Sequence, residues 1–264
     1  LIVFNKGIKE TSFKAGLDLE CPVDLDELQR IIKEDSPSVL ILVSVLGLVP
    51  DMEKIVKLCK DNNVILLEDA CESMGSSFKG QNLGTFGLMS SFSTYFGHHI
   101  STIEGGFVST DDFEMYEVLK SIRSHGWDRD LDVKTQSKLR NEWNISDFNS
   151  LYTFYYSGLN LRSTDLQAYI GLTQVDRLEQ VSIARNNNFK LYNSYVENTY
   201  WKVSGRDECF ISNFAYPIIA PRRDEMVKEL ILNDIEVRPL MCGSMSSQPF
   251  YVKKYGQKEM KNCG

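Results

Sequence analysis

The 264-residue chain is 42% hydrophobic and 11% aromatic, enough for the buried core of an ordinary globular protein with one large domain and part of a second. Its formal charge is −7 and its basic residues are scattered rather than gathered into a stripe, which argues against nucleic acid as a partner. No apolar run approaches the roughly 20 residues needed to span a bilayer, and residues 1–4 are too short for a signal-peptide core, so the expectation is a cytoplasmic protein with no membrane partner.

In chain order, residues 1–4 read as a strand. Asp24 with Glu27 three residues later is a helix-opening pair, and Leu25, Leu28, Ile31 and Ile32 form one apolar face before Ser36-Pro37 breaks the chain. The continuous apolar run 39–45 has the pattern of a strand buried on both faces of a parallel sheet. Pro50-Asp51 opens a helix with Met52, Ile55, Val56 and Cys59 on one side, and Asn62-Asn63 ends it. Residues 64–67 form the next buried strand, and a strand, short helix, strand unit of this length implies a right-handed parallel crossover. A strand over 107–110 precedes a helix bearing Phe113, Tyr116, Leu119 and Ile122. Thr164 with Gln167 makes a capping box for a helix whose face is Leu166, Tyr169, Ile170 and Leu172. Beyond about residue 180 the pattern changes, and a helix over 224–232 with a strand over 235–239 suggests a smaller α+β unit.

The six cysteines, Cys21, Cys59, Cys71, Cys209, Cys242 and Cys263, include no C-x-C or C-x-x-C pair, and they read as small apolar residues rather than a zinc, cluster or redox site. In open α/β sheets ligands bind beyond the carboxyl ends of the strands, where Glu68-Asp69 stands. A carboxylate there either holds a cation, a metal or a protonated ring nitrogen, or caps the next turn.

The ordered series Glu68-Asp69-Ala70-Cys71-Glu72-Ser73-Met74-Gly75-Ser76-Ser77-Phe78-Lys79-Gly80, then Gly84, Gly87 and Phe92-Ser93, resembles the DegT/DnrJ/EryC1/StrS family, where the stretch runs roughly E-D-A-A-Q-x-x-G-A-x-Y-K-G-x-x-x-G and then F-S-F. Residues 45–52, Glu104-Gly105-Gly106 with Thr110-Asp111, and Gly158-Leu159-Asn160-Leu161-Arg162 extend the likeness from about residue 15 to about residue 250. Several separated motifs in the right order are far more specific than a lone glycine pattern.

The resemblance implies an α/β protein of the pyridoxal-phosphate-dependent fold type I. Its α/β/α large domain would occupy 1–178, without its N-terminal part, and a smaller incomplete α+β domain 179–264; both ends of the chain look cut. It also implies roles residue by residue. Asp69 pairs with the pyridine nitrogen of pyridoxal 5'-phosphate and keeps it protonated, so that the ring acts as an electron sink. Ser93 bonds the cofactor phosphate, and Glu72 stands near the ring oxygen where many relatives have glutamine. Asn160 reaches the phosphate held by a neighbouring subunit, which implies a homodimer with shared active sites.

Aligned on Phe92-Ser93, the family's Schiff-base lysine falls on His98, a replacement that resembles the deoxysugar 3-dehydratase branch. Histidine cannot form that bond, but imidazole titrates near neutrality and suits a general base acting on pyridoxamine 5'-phosphate. The likeness implies glutamate as amino donor and a nucleotide sugar as substrate, GDP-4-keto-6-deoxymannose in the mannose-type members of colitose and O-antigen synthesis. No iron-sulfur cluster is expected, because the segment from Arg123 to Asp130 lacks the cysteines that follow it in the cluster-bearing type. The other readings are a sugar aminotransferase of the same family and an inactive cofactor-binding relative. His99 is a weaker candidate; His125 reads as a substrate contact or loop packing, and Arg238 as an anion ligand or a surface ion pair.

Overall fold

The structure, a computed structural model, describes residues 2–5, 9–12, 22–196, 201–202, 205–239 and 248–256. Cys21, Cys242 and Cys263 lie outside the described residues. Asp24 accepts a hydrogen bond from Glu27 N–H at 2.9 Å, so α1 (Leu25–Asp35) begins where the spacing predicts; the Glu27 carboxylate does not return the bond but pairs with Arg30. Asp51 caps α2 (Met52–Asp61) in the same way. Leu28, Ile31 and Ile32 from α1 and Met52, Ile55 and Cys59 from α2 are at most 3% exposed and pack in one core.

The strands are β1 (Ile2–Asn5), β2 (Lys9–Ser12), β3 (Val39–Val43), β4 (Ile65–Asp69), β5 (Ser77–Phe78), β6 (Gln81–Asn82), β7 (Met89–Ser93) and β8 (Gly106–Ser109). Six of them form a mixed sheet in the order β2-β1-β3-β4-β7-β8. The expected parallel crossover joins β3 to β4, and β4 is parallel to β7, while β1 and β8 pair antiparallel to their neighbours.

Two boundaries move. The apolar run 39–45 stops being strand at Val43, because Ser44 N–H bonds Asp69 O and Val45–Gly47 folds into a 3-10 turn. Its burial also alternates, with Leu40 and Leu42 fully buried and Val39, Ile41 and Val43 half-buried, so one face alone is sealed. β4 runs two residues past Leu67, and the pairs Val43↔Asp69 and Asp69↔Ser91 hold the acidic dipeptide in the ladder.

Later elements depart further. In α3 (Phe113–Arg123) the predicted face is covered only in part: Phe113 and Tyr116 are 59% and 49% exposed and Leu119 and Ile122 half-buried, while Glu117 and Ser121 are buried. Glu117 accepts from Asp132 N–H and Ser121 Oγ donates to Trp127 O, so the helix buries the side that anchors a polar loop. Beyond α4 (Val133–Glu142) and α5 (Asp147–Ser150), α6 (Asp165–Val175) opens with the predicted capping box, yet none of its residues is buried. Its half-buried positions are Gln167, Ile170, Gly171 and Gln174, and Gln167 Nε2 donates to Glu104 O; Leu166, Tyr169 and Leu172 face outward.

α7 (Leu178–Tyr195) returns to the main core through Phe189, joined there by Ile211. Then come β9 (Trp201–Lys202), β10 (Cys209–Phe210), β11 (Ile218–Ile219), α8 (Arg223–Leu232) and α9 (Pro249–Tyr255). β10 pairs with β5, so the chain after α7 crosses back onto the first half. The expected strand 235–239 does not form: no described strand offers it a ladder, Pro239 has no N–H to give, and Arg238 closes locally on Glu236.

Candidate active site

Strand alternation divides the two acids of Glu68-Asp69. Glu68 shares a face with Leu66, is 3% exposed, and accepts three backbone hydrogen bonds, from Gly84 N–H at 2.7 Å, Phe86 N–H at 2.6 Å and Gly87 N–H at 2.8 Å. It is spent on folding the 84–87 loop. Asp69, on the opposite face, is only half-buried; its Oδ1 takes Cys71 N–H at 3.1 Å and Ser91 Oγ–H at 3.2 Å, and Oδ2 receives no hydrogen bond among the described residues. Burial and the Asp69 carboxylate push the Cys71 thiol up to about 12, so it stays protonated against that acid.

Glu72 follows in the turn after β4. Its Oε2 accepts Leu46 N–H at 2.7 Å, and Leu46 has a left-handed backbone with φ 58°, an uncommon and strained state for a branched residue that this bond helps to hold. The turn packs closely on α7, where a Cβ on Gly75, at φ 84°, would run into Ser182.

His98 lies in the loop after β7. Its ring stands 5.9 Å from that of Tyr95 and 5.0 Å from that of Phe214, and Nδ1 is buried without a hydrogen-bond partner among the described residues. Burial lowers its pKa, opposed by Glu72, aided by Arg185 and opposed again by Asp69, so these four side chains share one electrostatic neighbourhood. His99 does different work. It is 5% exposed, its Nε2 meets Ser212 O at 2.9 Å, and burial depresses its pKa to about 4, so the ring is neutral and donates to that carbonyl.

Ser93 closes β7, two residues beyond Ser91; its Oγ accepts Tyr95 N–H at 3.2 Å and keeps its own hydrogen to give. The other candidates lie elsewhere. Asn160 is exposed and forms a backbone bridge with Ser124. His125 packs on Trp127, ring centroids 4.8 Å apart, and its backbone N–H bonds Leu159 O. Arg238 makes an exposed ion pair with Glu236 at 2.6 Å. Cys71, Ser91, Arg185 and Phe214 join the site without a role predicted from the motifs. Ser91 was findable, since it shares a strand face with Ser93; Arg185 and Phe214 carry no local signal.

The donor set fits a pyridoxal-type cofactor. An acid with one oxygen saturated and the other open suits a protonated ring nitrogen, a serine with a spare hydrogen suits a phosphate, and the unpartnered ring nitrogen of His98 leaves that side chain uncommitted. Among the described residues no group of three His, Cys, Asp or Glu side chains gathers as a metal site, and no helix is long and apolar enough to cross a membrane.

The model of the DegT/DnrJ/EryC1/StrS aminotransferase family matches residues 17–263. GDP-4-keto-6-deoxy-D-mannose 3-dehydratase of Yersinia pseudotuberculosis is 34% identical over 84% of this chain and 57% of its own length. The structure of the E. coli GDP-4-keto-6-deoxy-D-mannose-3-dehydratase with bound hydrated PLP superposes with a TM-score of 0.77 at 29% identity, over 93% of this chain and 64% of that one. A GDP-4-keto-6-deoxymannose-3-dehydratase holding a trapped PLP-glutamate geminal diamine gives 0.78 at 29% identity, over 93% and 65%. The chain thus spans about three-fifths of the length of these relatives.

Proposed function

The chain belongs to the DegT/DnrJ/EryC1/StrS aminotransferase family, and from that premise we propose that it is a pyridoxal/pyridoxamine-phosphate-dependent 3-dehydratase removing the C3 hydroxyl of GDP-4-keto-6-deoxymannose, with glutamate as amino donor. What supports the reading is His98, which the resemblance sets at the place of the family lysine and which burial holds toward its neutral form within the field of Glu72 and Asp69. The same reading takes 1–178 as the cofactor-binding domain and 179–264 as the smaller one, and puts the reaction in the cytoplasm, in colitose supply for lipopolysaccharide O-antigen.

When bound, the cofactor supplies an electron sink that acidifies the carbon bearing its amine. Asp69 Oδ2 keeps the ring nitrogen protonated, with Cys71 N–H and Ser91 Oγ holding the other oxygen so that the carboxylate cannot turn away. Ser93 Oγ–H bonds the phosphate. His98 accepts a proton at Nε2, the ring nitrogen that is not shut in, and can return it to the departing hydroxyl. Glu72, anchored by Leu46 N–H, steadies the protonated imidazole between the two transfers. His125 and Arg238 serve as weaker substrate contacts. A homodimer completes the site, with Asn160 of each subunit reaching the cofactor phosphate of the other, a role its exposure permits.

The test is the absorbance of the purified protein on adding pyridoxal phosphate and then glutamate, followed by the keto sugar. The expected course is a change from the aldehyde to the pyridoxamine band, no lysine trapped by borohydride, and release of ammonia with a 4-keto-3,6-dideoxy sugar. His98→Asn should slow both the spectral change and the turnover, each by about 10²- to 10⁴-fold. A borohydride-trapped lysine favours the aminotransferase reading; full turnover by His98→Asn removes His98 as the base; and no spectral response removes the cofactor assignment for this chain.

A further inference from the structure

Residues 211–214 form a strap across the back of His98. Ile211 N–H donates to Asn186 Oδ1 at 3.2 Å, Ser212 N–H to Ser76 Oγ at 2.9 Å, and Phe214 N–H to Leu46 O at 2.8 Å. The Ser76 hydroxyl in turn donates to Gly47 O at 2.9 Å, and a Cβ on Gly47 would run into Ser212 O. His99 takes up the Ser212 carbonyl, and Arg185 NH1 donates to the next two, Asn213 O at 2.9 Å and Phe214 O at 3.3 Å. The strap ends in the Phe214 ring, which lies 5.0 Å from that of His98.

Arg185 is unusual in this web. It is half-buried on α7, it bonds only carbonyl oxygens, and no carboxylate pairs with it among the described residues, so its charge is uncompensated. We propose that Arg185 is a positioning residue for His98: it fastens the strap whose Phe214 ring packs on the imidazole, and it brings an unpaired positive charge into that neighbourhood. Tyr95 from its own loop and Phe214 from the strap pack on His98, and the charged or titratable groups whose fields reach it are His99 from its own loop, Asp69 and Glu72 from the end of β4 and the following turn, and Arg185 from α7. Two acids in that set favour the imidazolium, which cannot accept a proton, and Arg185 opposes them. Burial lowers the pKa of Arg185 itself, but a guanidinium remains charged.

The kinetic consequence rests on His98 being the base of the proposed reaction; the primary test does not. The whole chain carries three histidines, so their titration can be followed by NMR in the cofactor-free protein, with His98→Asn giving the assignment. In Arg185→Gln the His98 midpoint should move up, and in Arg185→Lys, which keeps the charge but not the double carbonyl bond, it should stay near the parent value. Arg185→Met, which keeps the apolar stem, is the second neutral variant should the first not fold. An unmoved midpoint in the neutral variants, or equal shifts with Lys and Gln, overturns the assignment. In the loaded enzyme the acid limb of turnover should move to higher pH in Arg185→Gln. If no variant turns over and the midpoint still shifts as stated, the proposed reaction fails and the role of Arg185 stands.

Discussion

Between residues 22 and 100 the helices bury the faces their hydrophobic spacing marks, with Leu28, Ile31, Ile32, Met52, Ile55 and Cys59 at most 3% exposed. Between residues 101 and 175 Phe113, Tyr116, Leu166, Tyr169 and Leu172 are 49–70% exposed, and the buried set includes Glu117, Ser121, Ser124 and Asp128. The second stretch is held by polar bonds instead: Arg140 Nε meets Asp128 Oδ2 at 2.7 Å, its NH1 meets Asp147 at 3.0 Å, and Glu117 clasps Asp132 N–H at 2.6 Å. The contrast teaches that helical periodicity identifies an apolar stripe but not what covers it. In the first stretch the sheet of the same chain is the cover, and in the second nothing described is.

Adjacent acids give the largest test of how the first stretch is built. Glu68→Ala removes the acceptor of three half-buried backbone N–H groups and should lower the unfolding free energy by roughly 3 kcal/mol, read from urea denaturation. Asp69→Asn keeps Oδ1 for Cys71 N–H and Ser91 Oγ–H, so stability should change by less than about 1 kcal/mol while pyridoxal phosphate binding is lost. Equal stability losses in the two variants would show that the division of labour between them is misassigned.

What the sequence made legible follows the same line. The caps at Asp24, Asp51 and Thr164 are local, side chain to a backbone three residues on, and each forms where spacing places it. Asp69, Glu72 and His98 lie within 30 residues on the ends of two adjacent strands, so an ordered motif brings them together. Arg185 and Phe214 reach the same place from 87 and 116 residues beyond His98, through packing that no local pattern encodes. The run 39–45 ends as strand before its apolar pattern does because Val45–Gly47 is apolar yet turns, and the strand expected over 235–239 is absent because β-prone residues without a partner strand have no ladder to join.

The outward face of α6 sharpens the second half of the comparison. A homodimer that shares active sites needs a large apolar surface, and Tyr169 and Leu172, 70% and 69% exposed, supply part of one. In the double variant Tyr169→Glu, Leu172→Glu, sedimentation should show a dimer weakened by burial of the introduced charges, its Kd raised at least about 100-fold if each lost anchor costs roughly 1–2 kcal/mol. A monomeric parent, or a variant that dimerises as tightly, breaks the idea that a second copy covers this helix. The thermal midpoint should hardly move, because neither side chain packs inside the chain.

His99 supplies the smallest effect, and it asks whether the first stretch tolerates a buried polar group only while that group is neutral. Its folded pKa of about 4 lies below the ordinary value of 6.5, with burial as the main cause. The unfolded chain therefore takes up this proton first as pH falls, and stability is lost through the window from about 6.5 down to about 4. Between pH 7 and pH 5 that one group accounts for about 2 kcal/mol. His99→Asn, which can still donate to Ser212 O, should be weaker than the parent at pH 7 and lose less on acidification. Parallel stability curves for the two proteins would mean that some other group, and not this imidazole, carries the acid sensitivity of the strap.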